Sequence, residues 1–157
     1  MSRDIERALG CGYQASVKVG KIGGRGESAL FFKCVERGMN PDNPVIQLCM
    51  AGTQAEFNGR IDDARAFYRQ AWEAAQDDYE ACIAAHYVAR HQTNPQETLR
   101  WNQEALSRAE KVSDGRAASF YPSLYLNMGH SYETLGEPAE AQRYYDLAAA
   151  LGVIHQP

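Results

Sequence analysis

Three histidines and one glutamate are the residues of this chain best suited to chemistry: His86, His91, His130 and Glu133. Imidazole and carboxylate together can bind a metal or move a proton near neutral pH. His86 and His91 are five residues apart, which turns them away from each other on a helix, and no H-E-x-x-H is present. His130 and Glu133 lie three apart on one side and could bind a metal or shuttle a proton, with Glu80 or His91 across from them. His86 reads more simply as a hydrogen-bonded, partly buried histidine. No G-x-S-x-G elbow occurs, and Ser123 and Ser131 have no supporting turn. No catalytic residue, metal or cofactor is therefore expected. The alternative is a small enzyme or metal-binding protein built on His91, His130 and Glu133.

The thiols and the glycines point the same way. Cys11, Cys34, Cys49 and Cys82 contain no C-x-x-C pair, the spacing that zinc and redox sites use. Cys49 and Cys82 read as buried structural cysteines. Free thiols and an N-terminus without an apolar secretory core predict a cytoplasmic protein. The stretch Gly20–Ser28 invites a phosphate-loop reading, but it lacks G-x-x-x-x-G-K-[ST] and no buried strand leads into it. It reads as a loop.

These residues must be held by something, and composition bounds what. The chain has 157 residues, 45% of them apolar and 23% charged, enough to bury a core. Its net charge of −4 argues against a protein held by nucleic-acid phosphates. No apolar run is long enough for a membrane helix, so no membrane partner is expected. Charge splits the chain: residues 1–38 carry seven Lys/Arg against four Asp/Glu, and the remainder carries nine against sixteen. Seven of the thirteen glycines fall in those first 38 residues. Residues 1–43 are expected to be a basic, glycine-rich leader, poorly ordered or loosely docked, with a short helix possible over Ser28–Arg37. Met39 is an alternative start. The apolar patch Leu30-Phe31-Phe32 could cover the first part of the fold. Residues 44–157 form the second unit.

From Val45 onward the helical period is clear, and it repeats. Ala64, Tyr68 and Ala71 align with Thr98, Asn102 and Ala105 at an offset of 34 residues. They align again with Ala141, Tyr145 and Ala148 at a further offset of 43, meaning 34 plus a nine-residue insertion. A turn precedes each trio: Asn58-Gly59, Thr93-Asn94-Pro95 and Leu135–Pro138. These marks predict helices at about 44–57, 60–76, 79–92, 95–112, 117–135 and 138–151, paired as antiparallel hairpins. Thr93 or Asn94 caps the fourth, with Glu97 near the N3 position of a capping box. The fifth is expected to start early and kink at Pro122 rather than begin there. Ala51, Gly52, Ala85 and Gly129 let the first helix of each pair approach its partner. Tyr68, Trp72, Leu106, Tyr132 and Tyr145 fill the gaps. One pair cannot cover its own apolar face, so neighbours must stack.

The pattern resembles the tetratricopeptide repeat. The third repeat carries Tyr125, Met128-Gly129, Tyr132, Gly136, Ala141, Tyr145 and Ala148. The first keeps Leu48, Gly52, Gly59, Ala64, Tyr68 and Ala71. The second departs: His86 stands where glycine is usual, Thr98 where alanine is usual, and Asn102 where an aromatic is usual. Tyr79–Gln92 and Phe120–Gly136 are also similar to segments of small bacterial proteins of this family. The resemblance implies an all-α, right-handed superhelical stack of three helix-turn-helix repeats. It implies protein or peptide binding in a concave groove lined by the first helix of each pair. The groove positions it implies are Ile46, Cys49, Thr53, Glu56 and Phe57; then Glu80, Ile83, Tyr87, Arg90 and His91; then Ser123, Leu126, His130, Glu133 and Thr134, with Asn127 beside them. The helical period independently puts Ile83, Tyr87, Arg90 and His91 on one face, and likewise Ser123, Leu126, Asn127, His130 and Glu133. Arg90 could hold a carboxylate, Asn127 a peptide backbone, and Tyr87 could give flat contact area. A free C-terminal carboxylate is not the expected ligand, because Glu56, Glu80 and Glu133 oppose Arg90.

Arg60, Arg65 and Arg69 interleave with acids and read as a solvated outer face. Trp72 and Trp101 hold nearly the same place in successive repeats and read as interlayer packing. No long polar helix follows Leu151. Leu147, Leu151, Val153 and Ile154 are therefore expected to stay exposed or to face a second copy, which predicts a homodimer through that end.

Overall fold

The computed structural model describes residues 39–153. The leader with its possible helix, and Ile154, lie outside these residues. Among the described residues there are six α-helices and no strand: α1 Pro44–Phe57, α2 Ile61–Ala74, α3 Asp78–Ala89, α4 Pro95–Lys111, α5 Tyr121–Thr134 and α6 Pro138–Ala150. The chain pairs α1 with α2, α3 with α4, and α5 with α6, and the hairpins stack in sequence order. This is the all-α repeat stack read from the sequence.

Local chemistry sets the ends. Asn43 caps α1 by accepting from the Val45 N–H at 2.8 Å. Asp77 caps α3 from Glu80 N at 2.8 Å, and Asn94 caps α4 from Gln96 N at 2.8 Å. The fourth cap is thus Asn94, not Thr93. Glu97 turns outward to Arg100 at 2.8 Å instead of closing a capping box. Gly59 and Gly136 end the first and fifth helices at φ of 74° and 76°, where a Cβ would be strained.

One helix start differs from expectation. Ala118–Phe120 is a 3-10 turn, and α5 begins at Tyr121 with Pro122 in its first turn. Proline has no N–H to lose there, so no kink is needed. The insertion after α4 is tied back by Arg116, whose guanidinium meets Asp114 at 2.7 Å and Asp77 at 3.1 Å. The same group lies 4.4 Å over the Tyr79 ring.

Small residues set the spacing within hairpins. Ala64, Ala71, Ala85, Ala105 and Ala148 have no exposed surface. A Cβ added to Gly52 would fall 2.2 Å from the Tyr68 ring, and one on Gly129 would fall 2.3 Å from the Tyr145 ring. Each tyrosine therefore sits on its glycine. Between hairpins, Trp72 and Trp101 meet edge to face at 5.1 Å, and Tyr79 stacks on Phe120 at 5.6 Å. Such pairs add about 0.5–1.5 kcal/mol beyond burial. Cys49 and Cys82 are buried, and burial pushes the Cys82 thiol up to about 12, which leaves it protonated and inert at neutral pH.

Candidate functional site: the face shared by the first helices

The first helices of the three hairpins, α1, α3 and α5, border one cleft. Ile46 and Met50 of α1, Ile83 and Tyr87 of α3, and Phe120 and Leu124 at the start of α5 line it. Cys49, Cys82, His86 and Met39 complete the wall. The cleft is shallow and narrow, with a cavity volume of about 20 Å³, close to the space of a single water. Its lining is mostly apolar. The expectation was a face mixing aromatic, cationic and amide groups, and the polar members are placed elsewhere.

Arg90 and His91 turn to α1. Arg90 donates to Glu56 Oε2 at 2.8 Å, and His91 Nε2 bonds the other carboxylate oxygen. The Glu56 side chain is 7% exposed and Arg90 17%, so the pair is largely out of water. Tyr68 of α2 stands beside the group, its hydroxyl 3.4 Å from Thr53 Oγ. Burial pushes the Glu56 carboxyl up, but the His91 hydrogen bond, the Arg90 charge and the Tyr68 hydrogen bond together hold it below the usual carboxylate range. Burial pushes the Tyr68 phenol well above its ordinary value. The His91 ring lies parallel to Tyr68, with centroids 6.4 Å apart, and Arg90 lies 5.7 Å over Tyr87.

The third hairpin repeats this arrangement. Tyr145 donates to Glu133 Oε2 at 2.7 Å, and its oxygen lies 3.1 Å from His130 Nδ1. Thr53 and Glu56 around Tyr68 therefore correspond to His130 and Glu133 around Tyr145. His130 and Glu133 are brought together as expected, 3.6 Å apart, but by a tyrosine of their own hairpin. His91 belongs to the first-hairpin group. Among the described residues no set of three or more His, Cys, Asp or Glu stands close enough to hold a metal.

The second hairpin differs because its glycine and tyrosine are His86 and Asn102. Asn102 is buried and donates to Ser131 Oγ at 2.9 Å. His86 crosses to α5, where the Asn127 amide nitrogen lies 3.1 Å from its Nδ1. An amide nitrogen only donates, so Nδ1 accepts and the proton of the neutral ring sits on Nε2. Burial, with a smaller push from the Arg90 charge, lowers His86 to about 3.

The remaining expected groove residues scatter. Leu126 and Ser123 are buried in α5. Glu80 accepts from Asn43 Nδ2 at 2.5 Å and from Gln76 N at 2.8 Å, which ties α1 to the start of α3. Thr134 is exposed and bonds its own helix at the His130 carbonyl, 2.8 Å away. Phe57 ends α1 and is 70% exposed. Sequence reasoning missed the Glu56–Arg90 pair. Its signal was present: opposite charges at the same repeat position, 34 residues apart.

No curated protein and no solved structure matches the chain. The family model for the tetratricopeptide repeat matches residues 122–151, which span α5 and α6. By that match residues 122–151 are similar to a tetratricopeptide repeat, and the glycine-under-tyrosine packing of their hairpin recurs in the first.

Proposed function

We propose that this chain is a non-catalytic, cytoplasmic binding module that takes an extended segment of a partner protein in the cleft across α1, α3 and α5. The apolar lining supports this reading most. Met50 is partly exposed and offers contact to an apolar side chain, backed by the buried Ile83, Phe120 and Leu124, and Tyr87 adds the edge of a flat ring. Asn127 stands next to the cleft's His86 and can pair with a peptide backbone. Arg90 is held by Glu56, which disfavours a free carboxylate as the anchor. The test is selection of peptides from a random library on the full chain. Met50→Lys is expected to weaken the selected peptides at least tenfold without changing the melting temperature. Equal affinities in wild type and variant contradict the cleft as the site.

A second reading concerns assembly. Leu147 is 38% exposed and Leu151 51% exposed at the last hairpin, which favours self-association through that end. Light scattering at high micromolar concentration is expected to give a dimer that Leu147→Glu with Leu151→Glu converts to monomer. A monomeric wild type removes this reading.

A further inference from the structure

A second hollow lies between α2 and the turn that joins α3 to α4. Arg65, Tyr68 and Arg69 of α2 form one wall, and His91, Gln92 and Thr93 of the turn form the other. It shares no lining residue with the apolar cleft. Its cavity volume is about 210 Å³, against about 20 Å³ for the cleft, so it has room for a ligand of several heavy atoms. Arg65 and Arg69, expected as part of a solvated outer face, are exposed but border this hollow.

The chemistry of the walls is that of an anion site. Arg65 and Arg69 are four residues apart on α2, one turn apart on one face. Arg65 is pinned at the hollow, because its Nε donates to the His91 carbonyl at 3.0 Å. That bond also occupies a backbone acceptor that would repel an anion. The acids of α2 leave the site open. Asp63 pairs with Arg60 at 2.8 Å, and Asp62 meets Arg65 Nη1 at 3.0 Å with its own side chain 94% exposed. An exposed pair of that kind is weak and yields to a better-placed anion. Among the described residues, Arg69 is the one arginine with no acid in salt-bridge range. Glu56, bonded to His91, already has Arg90 at 2.8 Å. Gln92 gives one amide N–H to the Val88 carbonyl at 2.8 Å and keeps the other, and the exposed Thr93 adds a hydroxyl.

The donor set selects among anions. A carboxylate is planar, and a single guanidinium fork satisfies it. A phosphate monoester carries nearly two negative charges at neutral pH and three acceptor oxygens. Two guanidiniums, an amide and a hydroxyl match it in charge and in donors. We propose that the pocket between α2 and the α3–α4 turn binds a phosphate group, free or as a monoester of a small molecule, with Arg65 and Arg69 as its principal donors.

The test titrates inorganic phosphate, phenyl phosphate and acetate into the nitrogen-15-labelled full chain at neutral pH and fixed ionic strength. Saturable shifts of the Arg65 and Arg69 Nε–H signals and of the Gln92 and Thr93 amides are expected with both phosphates. Tighter binding of phenyl phosphate assigns the site to an esterified ligand, and equal or weaker binding assigns it to the free ion. Arg69→Gln, at an exposed position, is expected to weaken phosphate binding by about fivefold or more with an unchanged melting temperature. Acetate binding as tightly as either phosphate overturns the choice of ligand. Shifts spread over every exposed arginine, or an affinity that Arg69→Gln leaves unchanged, overturn the site.

Discussion

Gly129 lies so close beneath Tyr145 that one added carbon would sit 2.3 Å from the ring. The first hairpin repeats the relation with Gly52 and Tyr68. The second hairpin exchanges both partners, with His86 for the glycine and Asn102 for the tyrosine. The larger residue on one helix goes with the smaller at the corresponding place on the other.

Overpacking a close helix contact costs about 1–3 kcal/mol. Gly129→Ala is therefore expected to lower the unfolding free energy by about 2 kcal/mol, measured by urea denaturation. Combined with Tyr145→Ala it should cost less than the sum of the single changes, because the ring that clashes is gone. Additive costs would place the strain elsewhere.

The same reasoning runs in reverse in the second hairpin. Asn102→Tyr alone is expected to destabilise, since it removes the buried Asn102–Ser131 hydrogen bond and the opposite helix lacks the glycine that makes room for the ring. His86→Gly alone should also destabilise, by leaving a cavity and freeing Asn127. The double change restores the arrangement of the other hairpins and should be milder than the sum by more than about 1 kcal/mol. A double variant as unstable as the summed singles contradicts the exchange.

His86 predicts a pH dependence. Its value falls from 6.5 to about 3 on folding, so between those limits the unfolded chain binds a proton that the folded chain refuses. Stability is complete above about pH 6.5 and falls by about 1.4 kcal/mol per unit as the pH drops toward 3. Denaturant curves at pH 7 and pH 5 should differ by about 2 kcal/mol more in wild type than in His86→Gln. Equal differences would contradict a ring kept neutral in the fold.

Glu56 acts lower on the scale. Its folded value lies below the ordinary 4.5, so its contribution is present above that pH and lost as the pH falls through the folded value. Arg90→Met leaves a buried carboxylate with fewer partners and is expected to cost about 3 kcal/mol at pH 7. Glu56→Gln together with Arg90→Met should cost less than Arg90→Met alone. A cost below about 0.5 kcal/mol for Arg90→Met, as for a surface pair, would contradict this account.

The fold was legible because its signals are local and repeat. Gly59 and Gly136, the alanines of each second helix and Tyr68 and Tyr145 recur at fixed offsets, and each has a steric reason that one sequence displays. The start of α5 was less legible, since Pro122 suits both a kink and a first turn. The site was read by face and not by partner. Helical period placed Ile83, Tyr87, Arg90 and His91 on one side, but it says nothing about reach. Arg90 and His91 have side chains long enough to cross to Glu56 in the preceding hairpin, so the polar half of that face turns inward and the apolar half borders the cleft. Opposite charges at one repeat position were the available clue to that crossing.

The most direct test of the cleft is chemical-shift mapping by NMR of a library-selected peptide titrated into the full chain. The account predicts perturbations concentrated on Met50, Ile83, Tyr87 and Leu124, in the first helices of the three hairpins. Perturbations confined to α2, α4 and α6 would contradict it.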